Sequence, residues 1–115
     1  MRRGEIRVVD LDPTRGAEVA KRRPAVIVSN DGANTTAARL GHGVVTVVPV
    51  TTNTERLYPF QVLLEATATG LDHDSKAQAE QVRSVAVERL GRRIGVVPPQ
   101  LLADLDEALR LHLAL

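Results

Sequence analysis

Short runs of β-branched residues, each bounded by proline, glycine or polar turn residues, constrain this chain more than any other feature of its sequence. Runs of about four to eight such residues have the length of a strand and are too short for most helices. The run that follows Pro24 is continuously apolar, which is typical of a strand that is buried on both faces. The pattern therefore predicts a sheet of several short strands.

Six segments are predicted to form strands: 5–13, 24–30, 44–51, 59–66, 75–85 and 92–97. The composition of 75–85 suits either a helix or a strand, and its position between other strands favours a strand. Glycine and polar residues dominate the connections between these segments. The predicted turns and loops are 14–16, 31–43, 67–74 and 88–91.

The end of the chain has a different period. Pro98 and Pro99 can begin a helix, because proline suits the first helical turn. Apolar residues then recur at steps of three and four, at Leu101, Leu102, Leu105, Ala108, Leu109 and Leu113. The sequence therefore predicts a mainly β, α+β fold: five to seven mostly antiparallel strands with one C-terminal amphipathic helix laid on the sheet.

The length of 115 residues fits one domain, 1–115. The chain has no cysteine, which excludes a disulfide framework and a thiolate zinc site and suits a reducing compartment. It also has no N-terminal apolar segment of the signal-peptide type and no run of about 18 apolar residues. We therefore expect a soluble, cytoplasmic protein that is not associated with a membrane.

The charge of the chain is unevenly distributed. A net charge of +1 argues against a surface that is basic throughout, yet residues 1–23 carry seven basic and four acidic side chains. Thirteen of the 15 basic residues are arginines, whose planar guanidinium can bind two phosphate oxygens at once. The three adjacent cations 21–23 have two interpretations, a solvated loop or a site for an anionic ligand.

Common catalytic motifs are missing from the sequence. It contains no phosphate-binding glycine loop, no nucleophile elbow and no zinc-protease motif. Asp72, His73 and Asp74 have no second cluster to complete a coordination shell, so we expect no metal site and no cofactor. Four groups of polar residues remain as candidates, at 18–24, 48–53, 58–60 and 80–84.

Two of these groups border the predicted strands 24–30 and 44–51. The first group ends where one strand begins, and the second ends where the other strand finishes. If the two strands are antiparallel neighbours, both groups lie at one edge of the sheet. A carboxylate, a guanidinium and a hydroxyl then converge there.

The same residues carry a family resemblance. The chain contains P-x-x-G-x-E-x-x-K-x-R-P at 13–24, V-P-V-T-T at 48–52, Y-P-F-x-V at 58–62, Q-V-R-S at 81–84 and R-L-x-x-R-x-G at 89–95. With the leucine-rich end, this order of motifs resembles the MazF/PemK toxin family over almost the whole chain. The resemblance implies a small SH3-like, CcdB-like barrel, a homodimer, metal-independent endoribonuclease activity on single-stranded RNA, and a cognate antitoxin that occupies the RNA groove.

The resemblance also implies the catalytic residues. The family's catalytic arginine falls on Arg23, its catalytic threonine on Thr51 and its nearby functional acid on Glu18. Ala17 replaces a serine that is frequent in the family, and the loop 31–42 matches nothing distinctive. The sequence that the enzyme cleaves therefore cannot be inferred from that loop.

These residue types suit RNA cleavage without a metal. The ribose 2′-OH is the nucleophile, so the enzyme must align it, stabilise the charge on the phosphoryl oxygens and move two protons. Arg23 is suited to stabilise the phosphorane, and Thr51 can donate a hydrogen bond to a nonbridging oxygen. Glu18 has two alternative roles, accepting the 2′-OH proton or orienting Arg23, because the flanking cations favour its ionised, weakly basic form.

Seven further residues are candidates for RNA binding: Lys21, Arg22, Thr52, Asn53, Tyr58, Gln81 and Ser84. Lys21 and Arg22 either contact phosphates or are simply solvated, and Gln81 and Ser84 either line the groove or satisfy sheet edges. Phe60 is predicted to belong to the core and Tyr58 to lie at the rim. With only these two aromatic residues, base recognition has to depend on hydrogen bonds to splayed bases and on loop shape.

Two other classes of function remain open at this stage. A CcdB-like protein poisons a gyrase by binding it, and a noncatalytic RNA-binding or scaffold protein retains RNA without cutting it. Incubation with a defined RNA in EDTA separates the three, since only the nuclease yields fragments that end in a 2′,3′-cyclic phosphate.

Overall fold

The computed structural model describes residues 1–11 and 22–115. The strands are β1 (Glu5–Asp10), β2 (Arg22–Ile27), β3 (Val44–Thr51), β4 (Gln61–Leu64), β5 (Ser75–Gln78), β6 (Arg83–Ala86) and β7 (Leu90–Val96). The helices are α1 (Asp31–Leu40), α2 (Ala66–Thr69) and α3 (Pro99–Leu113). The predicted turn 14–16 and the candidate residues Glu18 and Lys21 lie outside the described residues.

The strands form one sheet in the order β4-β5-β3-β2-β1-β7, and the pairings among the described residues are antiparallel. The strand β6 also pairs with β3, on the edge that faces away from β2. The segment 75–85, which was predicted as a single strand, instead contains two strands, β5 and β6. A 3₁₀ turn at Ala79–Gln81 separates them. The predicted α+β fold of antiparallel strands with a C-terminal helix is confirmed.

The central strands are buried on both faces, because their side chains alternate between two hydrophobic clusters. The first core cluster consists of Ile6, Val26, Val48, Val50, Val62, Leu64, Ala77, Ala79, Val97, Leu105 and Ala108. The second consists of Val9, Leu11, Ala25, Ile27, Ala37, Val45, Val47 and Val85. On β2 and β3 the even-numbered residues thus face the first core cluster and the odd-numbered residues face the second.

Helix α3 covers the first core cluster, as the leucine spacing predicts. Leu105 is fully buried in that cluster, and Leu101, Leu102 and Leu109 pack against it. Leu113 departs from the prediction, since it is 49% exposed one turn beyond the last buried position. The helix is also tied to the N-terminal segment, where the Arg3 guanidinium forms an ion pair with Asp106 at 2.5 Å.

The prediction of a loop at 31–43 is wrong, because this segment contains helix α1. Asn30 caps the helix by accepting the Ala33 N–H at 2.8 Å, and Gly41 ends it in a left-handed conformation with φ of 72°. Only Asn34 and Ala37 are buried on its inner face. The buried face is small and one of its two residues is polar, so the polar composition of the segment hid the helix, and its clearest signals are the two caps.

The predicted core position of Phe60 is also wrong. Phe60 is only half-buried and belongs to neither core cluster. Its ring instead stacks on Tyr58, with ring centroids 5.5 Å apart and planes 2° from parallel. It precedes β4 rather than lying within it, so the alternation of that strand does not apply to it.

Candidate active site

The pairing of β2 with β3 brings the two main sequence motifs together. The two strands pair Ala25 with Pro49, Val26 with Val48 and Ile27 with Val47. This pairing starts at Ala25 and Pro49, and Arg23 and Thr51 each lie two residues beyond it, at the ends of β2 and β3 that meet at this edge. Both residues lie on the face of the second core cluster, because side chains alternate along each strand.

Arg22 and Arg23 lie on opposite faces of β2. Arg23 pairs with Val9, which belongs to the second core cluster, whereas Arg22 pairs with Asp10 on the other face. The Arg22 guanidinium lies close to Gly91. A Cβ atom at that glycine would be 3.5 Å from Arg22 Nη2. The adjacent cations in the sequence thus do not act as one patch at 22 and 23, because strand geometry separates them.

The Thr51 hydroxyl begins a turn that follows β3. Its Oγ1 accepts the Asn53 N–H at 3.3 Å, and Asn53 Oδ1 in turn accepts the Glu55 N–H at 3.2 Å. These side chain to backbone bonds are those by which threonine and asparagine stabilise turns. Since Thr51 Oγ1 serves as an acceptor here, the hydroxyl keeps its own hydrogen for donation. Thr52 and Asn53 are exposed beside it.

Tyr58 lies further along the same segment, at the protein surface. It is 41% exposed, and its hydroxyl accepts a hydrogen bond from Arg56 Nη1 at 3.1 Å. The Arg56 guanidinium also lies 5.9 Å from the centre of the tyrosine ring. Phe60 stacks on the same ring, so Tyr58 lies in a small cluster with Arg56 and Phe60.

The two remaining candidates, Gln81 and Ser84, lie on different elements. Gln81 is half-buried in the 3₁₀ turn between β5 and β6 and has a bonding partner. Ser84 is exposed and pairs with Thr46, an even-numbered residue of β3. Ser84 therefore lies on the face opposite Thr51, and the structure does not bring it together with Arg23 and Thr51.

Two basic residues near the site were missed from the sequence. Arg83 pairs with Val47 and lies on the same face as Arg23, and its Nη1 donates to the Leu11 carbonyl at 3.3 Å. Lys76 pairs directly with Thr51 across β3 and β5. The Q-V-R-S motif contained the signal for Arg83, but nothing in the sequence indicated that β5 pairs with the end of β3.

Asp31, whose pKa is lowered mainly by the hydrogen bond from the Arg3 backbone N–H, lies on α1, outside this site. In residues 1–11 and 22–115 no three histidine or acidic side chains are grouped so as to hold a metal ion. No helix in that part of the chain is long and apolar enough to cross a membrane.

Comparison with known proteins identifies the family. The family model described as "PemK-like, MazF-like toxin of type II toxin-antitoxin system" matches residues 2–113. The chain belongs to this toxin family. It is 68% identical to Endoribonuclease MazF9 of Mycobacterium tuberculosis over 115 residues, which are 100% of this chain and 98% of the relative.

Solved structures of the family share the fold. MazF from Deinococcus radiodurans superposes with a TM-score of 0.81 at 24% identity, covering 100% of this chain and 97% of that one. An endoribonuclease in complex with its cognate antitoxin, from a mycobacterial species, superposes with a TM-score of 0.74 at 26% identity, covering 100% and 96%. The resemblance to the MazF/PemK family seen in the motifs is thus confirmed.

Proposed function

We propose that this chain is the endoribonuclease toxin of a toxin-antitoxin system and that it cleaves single-stranded RNA without a metal ion. The family match and the 68% identity to an endoribonuclease support the activity. The observation that supports the proposal for the site is the antiparallel pairing of β2 with β3, which brings together the strand ends that carry Arg23 and Thr51. A fixed cation and a hydroxyl donor on these strand ends suit one anion-sized position.

The chemistry follows from these two groups. The ribose 2′-oxygen attacks the adjacent phosphorus, the new 2′-O–P bond forms, and the bond to the 5′-oxygen breaks to leave a 2′,3′-cyclic phosphate. Arg23 remains protonated at ordinary pH and stabilises the charge that develops on the phosphoryl oxygens. Thr51 donates its hydroxyl hydrogen to a nonbridging oxygen. Glu18 either accepts the 2′-OH proton or orients Arg23, and the leaving 5′-oxygen takes up a proton.

The proposed RNA contacts are the polar residues around Arg23 and Thr51. Thr52, Asn53 and Tyr58 continue from Thr51 along one segment, and Tyr58 offers a ring on which a base can stack. We propose Gln81 and Lys21 as further RNA contacts from the sequence motifs that contain them. Arg22 and Ser84 lie on the face of the sheet opposite to Arg23 and Thr51. They contact RNA only if the RNA chain passes around the edge of the sheet.

The biological setting is proposed from the family. The protein acts as a single domain, 1–115, in the cytoplasm, where its RNA substrate is found. Its partner is a cognate antitoxin, as in the mycobacterial complex that shares its fold. We expect a homodimer, in keeping with the toxin family.

A cleavage assay tests the proposal. Purified protein and a defined single-stranded RNA are incubated in EDTA, and the fragment ends are identified by mass spectrometry. Discrete fragments with 2′,3′-cyclic phosphate ends are expected. RNA that is retained but intact would instead indicate a noncatalytic RNA-binding protein, and RNA that is neither bound nor cut would point to a CcdB-like gyrase binder.

A further inference from the structure

Lys76 occupies a place in the site that the proposed reaction does not use. It is the residue opposite Thr51 in the pairing of β3 with β5, and it is opposite Leu63 in the pairing of β5 with β4. The neighbouring pair Val50 and Ala77 belongs to the first core cluster, so Lys76 and Thr51 lie together on the other face. Thr51 and Lys76 are therefore directly opposite each other, and Arg23 lies on the same face of the sheet.

The Lys76 side chain is buried although it carries a charge. The residue is 7% exposed, and its Nζ donates to the backbone carbonyl of Arg56 at 2.5 Å. Lysine is almost never fully buried unless it is paired, because removing the ammonium from water is costly. An apolar residue of similar volume generally serves stability as well or better at a buried position. Stability alone thus gives no reason for a lysine here.

The contact made by Lys76 is with the segment that follows the catalytic threonine. Residues 52–60 have no helix or strand of their own, and most of their side chains are exposed. A second side chain holds the segment at its far end, where Gln61 Oε1 accepts the Tyr58 N–H at 3.1 Å. Gln61 is itself held by Glu80, to which its Nε2 donates at 2.7 Å. The backbone at 56 and 58 is thereby fixed by side chains of the sheet.

We propose that Lys76 is a positioning residue of the cleavage site. Its bond to the Arg56 carbonyl fixes the segment 52–60 so that Thr52, Asn53 and Tyr58 face the RNA held at Arg23 and Thr51. The role rests on the proposed ribonuclease function, and it assigns part of the sequence discrimination to a residue that does not touch the RNA.

The test compares Lys76→Met with Arg39→Met. The first variant keeps the volume and apolar stem of Lys76 but removes the donor, whereas the second removes one positive charge from the exposed last turn of α1. Tyr58 is the only tyrosine and the chain has no tryptophan, so intrinsic fluorescence reports this segment directly. Acrylamide quenching of Tyr58, thermal unfolding, and kcat and KM on the preferred RNA and on single-base variants are measured for each protein.

Lys76→Met is expected to unfold at the wild-type temperature or above it, with Tyr58 more accessible to acrylamide. Because a displaced segment misaligns the RNA, kcat/KM on the preferred RNA falls about 10- to 100-fold, mainly in kcat. Discrimination against single-base variants falls as well. Lys76→Arg, which keeps a charged donor, recovers part of both, and Arg39→Met resembles the wild type.

Three outcomes overturn the proposal. One is unchanged selectivity and kcat in Lys76→Met, and another is unchanged quenching of Tyr58. The third is a large loss of thermal stability in that variant, which would make Lys76 a structural residue. Wild-type protein that fails to cut RNA contradicts the proposed function instead, and the quenching result, which needs no RNA, still decides whether Lys76 holds the segment.

Discussion

The two connections on either side of β3 are held in opposite ways. The segment before the strand, 29–43, contains α1, which is capped by its own residues Asn30 and Gly41. The segment after it, 52–60, has no regular structure and depends on Lys76 and Gln61, two side chains that belong to other strands. The first connection satisfies its own backbone, whereas the second is positioned by the sheet.

This difference separates stability from function. Asn34 is fully buried and exchanges two hydrogen bonds with Ser29, which itself accepts the Thr46 N–H of β3. That network ties α1 to the sheet and leaves little polar capacity for a ligand. The residues that follow Thr51 instead present polar groups to solvent. We therefore expect substitutions before β3 to change stability and substitutions at its other end to change activity.

The largest effect is expected for Arg23→Ala. Removing the fixed cation from the phosphorane site should lower kcat by about 10³-fold or more, because charged donors aimed at developing charge supply a large share of such catalysis. The thermal unfolding temperature should stay close to that of the wild type. Single-turnover cleavage of a defined RNA measures the rate.

Arg22→Ala is the matched control for this prediction. It removes the same side chain one residue earlier, on the other face of β2. Its loss of activity should be far smaller. Equal losses in the two variants would mean that overall charge, rather than the position of Arg23, governs cleavage.

Thr51→Val should have the next largest effect. The substitution keeps the shape of the side chain and removes the hydroxyl, so kcat should fall by about 10²-fold, as for the loss of one uncharged hydrogen-bond donor. Thr54→Val, an exposed change in the same segment, serves as the control. Full activity in Thr51→Val would remove the threonine from the mechanism.

Asn34→Ala changes the connection before β3, and it should lower the stability of the protein rather than its activity. It leaves the Ser29 hydroxyl and carbonyl without their partner, which should lower the free energy of unfolding by about 2 kcal/mol. The specific activity of the folded protein should be retained. Urea denaturation measures the stability, and Thr35→Ala on the exposed side of α1 is the control. Loss of activity without loss of stability would break the contrast between the two connections.

The smallest effect is expected at Asp31, in the first turn of α1. The Arg3 N–H, which donates to Asp31 Oδ1 at 2.6 Å, lowers the pKa of this carboxyl, and the charge of Arg2 lowers it further. A pKa that is lower in the folded state stabilises the protein above the ordinary value of 3.8, and this contribution is lost as pH falls below it.

Asp31→Asn should therefore lower the unfolding temperature slightly at neutral pH, and the difference from the wild type should shrink at about pH 3. Thermal scans at the two pH values measure it, with RNA cleavage at neutral pH as the functional readout. A difference that grows in acid would have the wrong sign for this assignment. Unchanged cleavage would again place 29–43 outside the catalytic machinery.

Sequence analysis predicted strands and helices where the apolar pattern is strong, and it missed a helix where that pattern is weak. The strand β3 was predicted with its observed bounds because a valine-rich run has few alternatives, and α3 was predicted from its leucine spacing. The antiparallel pairing of the strands that carry Arg23 and Thr51 was predicted from their closeness in the sequence. Helix α1 was missed because its composition is polar overall, so that its caps at Asn30 and Gly41 were its clearest signals.

The sequence by itself determined the strand segments, the terminal helix and the toxin family, since local propensity, hydrophobic period and ordered motifs are all written along the chain. Only the tertiary structure decided that β2 begins at Arg22, which puts Arg22 and Arg23 on opposite faces of the sheet. It also decided that Lys76 lies opposite Thr51. The reason is physical. The face that a strand residue occupies depends on register, and register is set by partners that lie far away in the sequence.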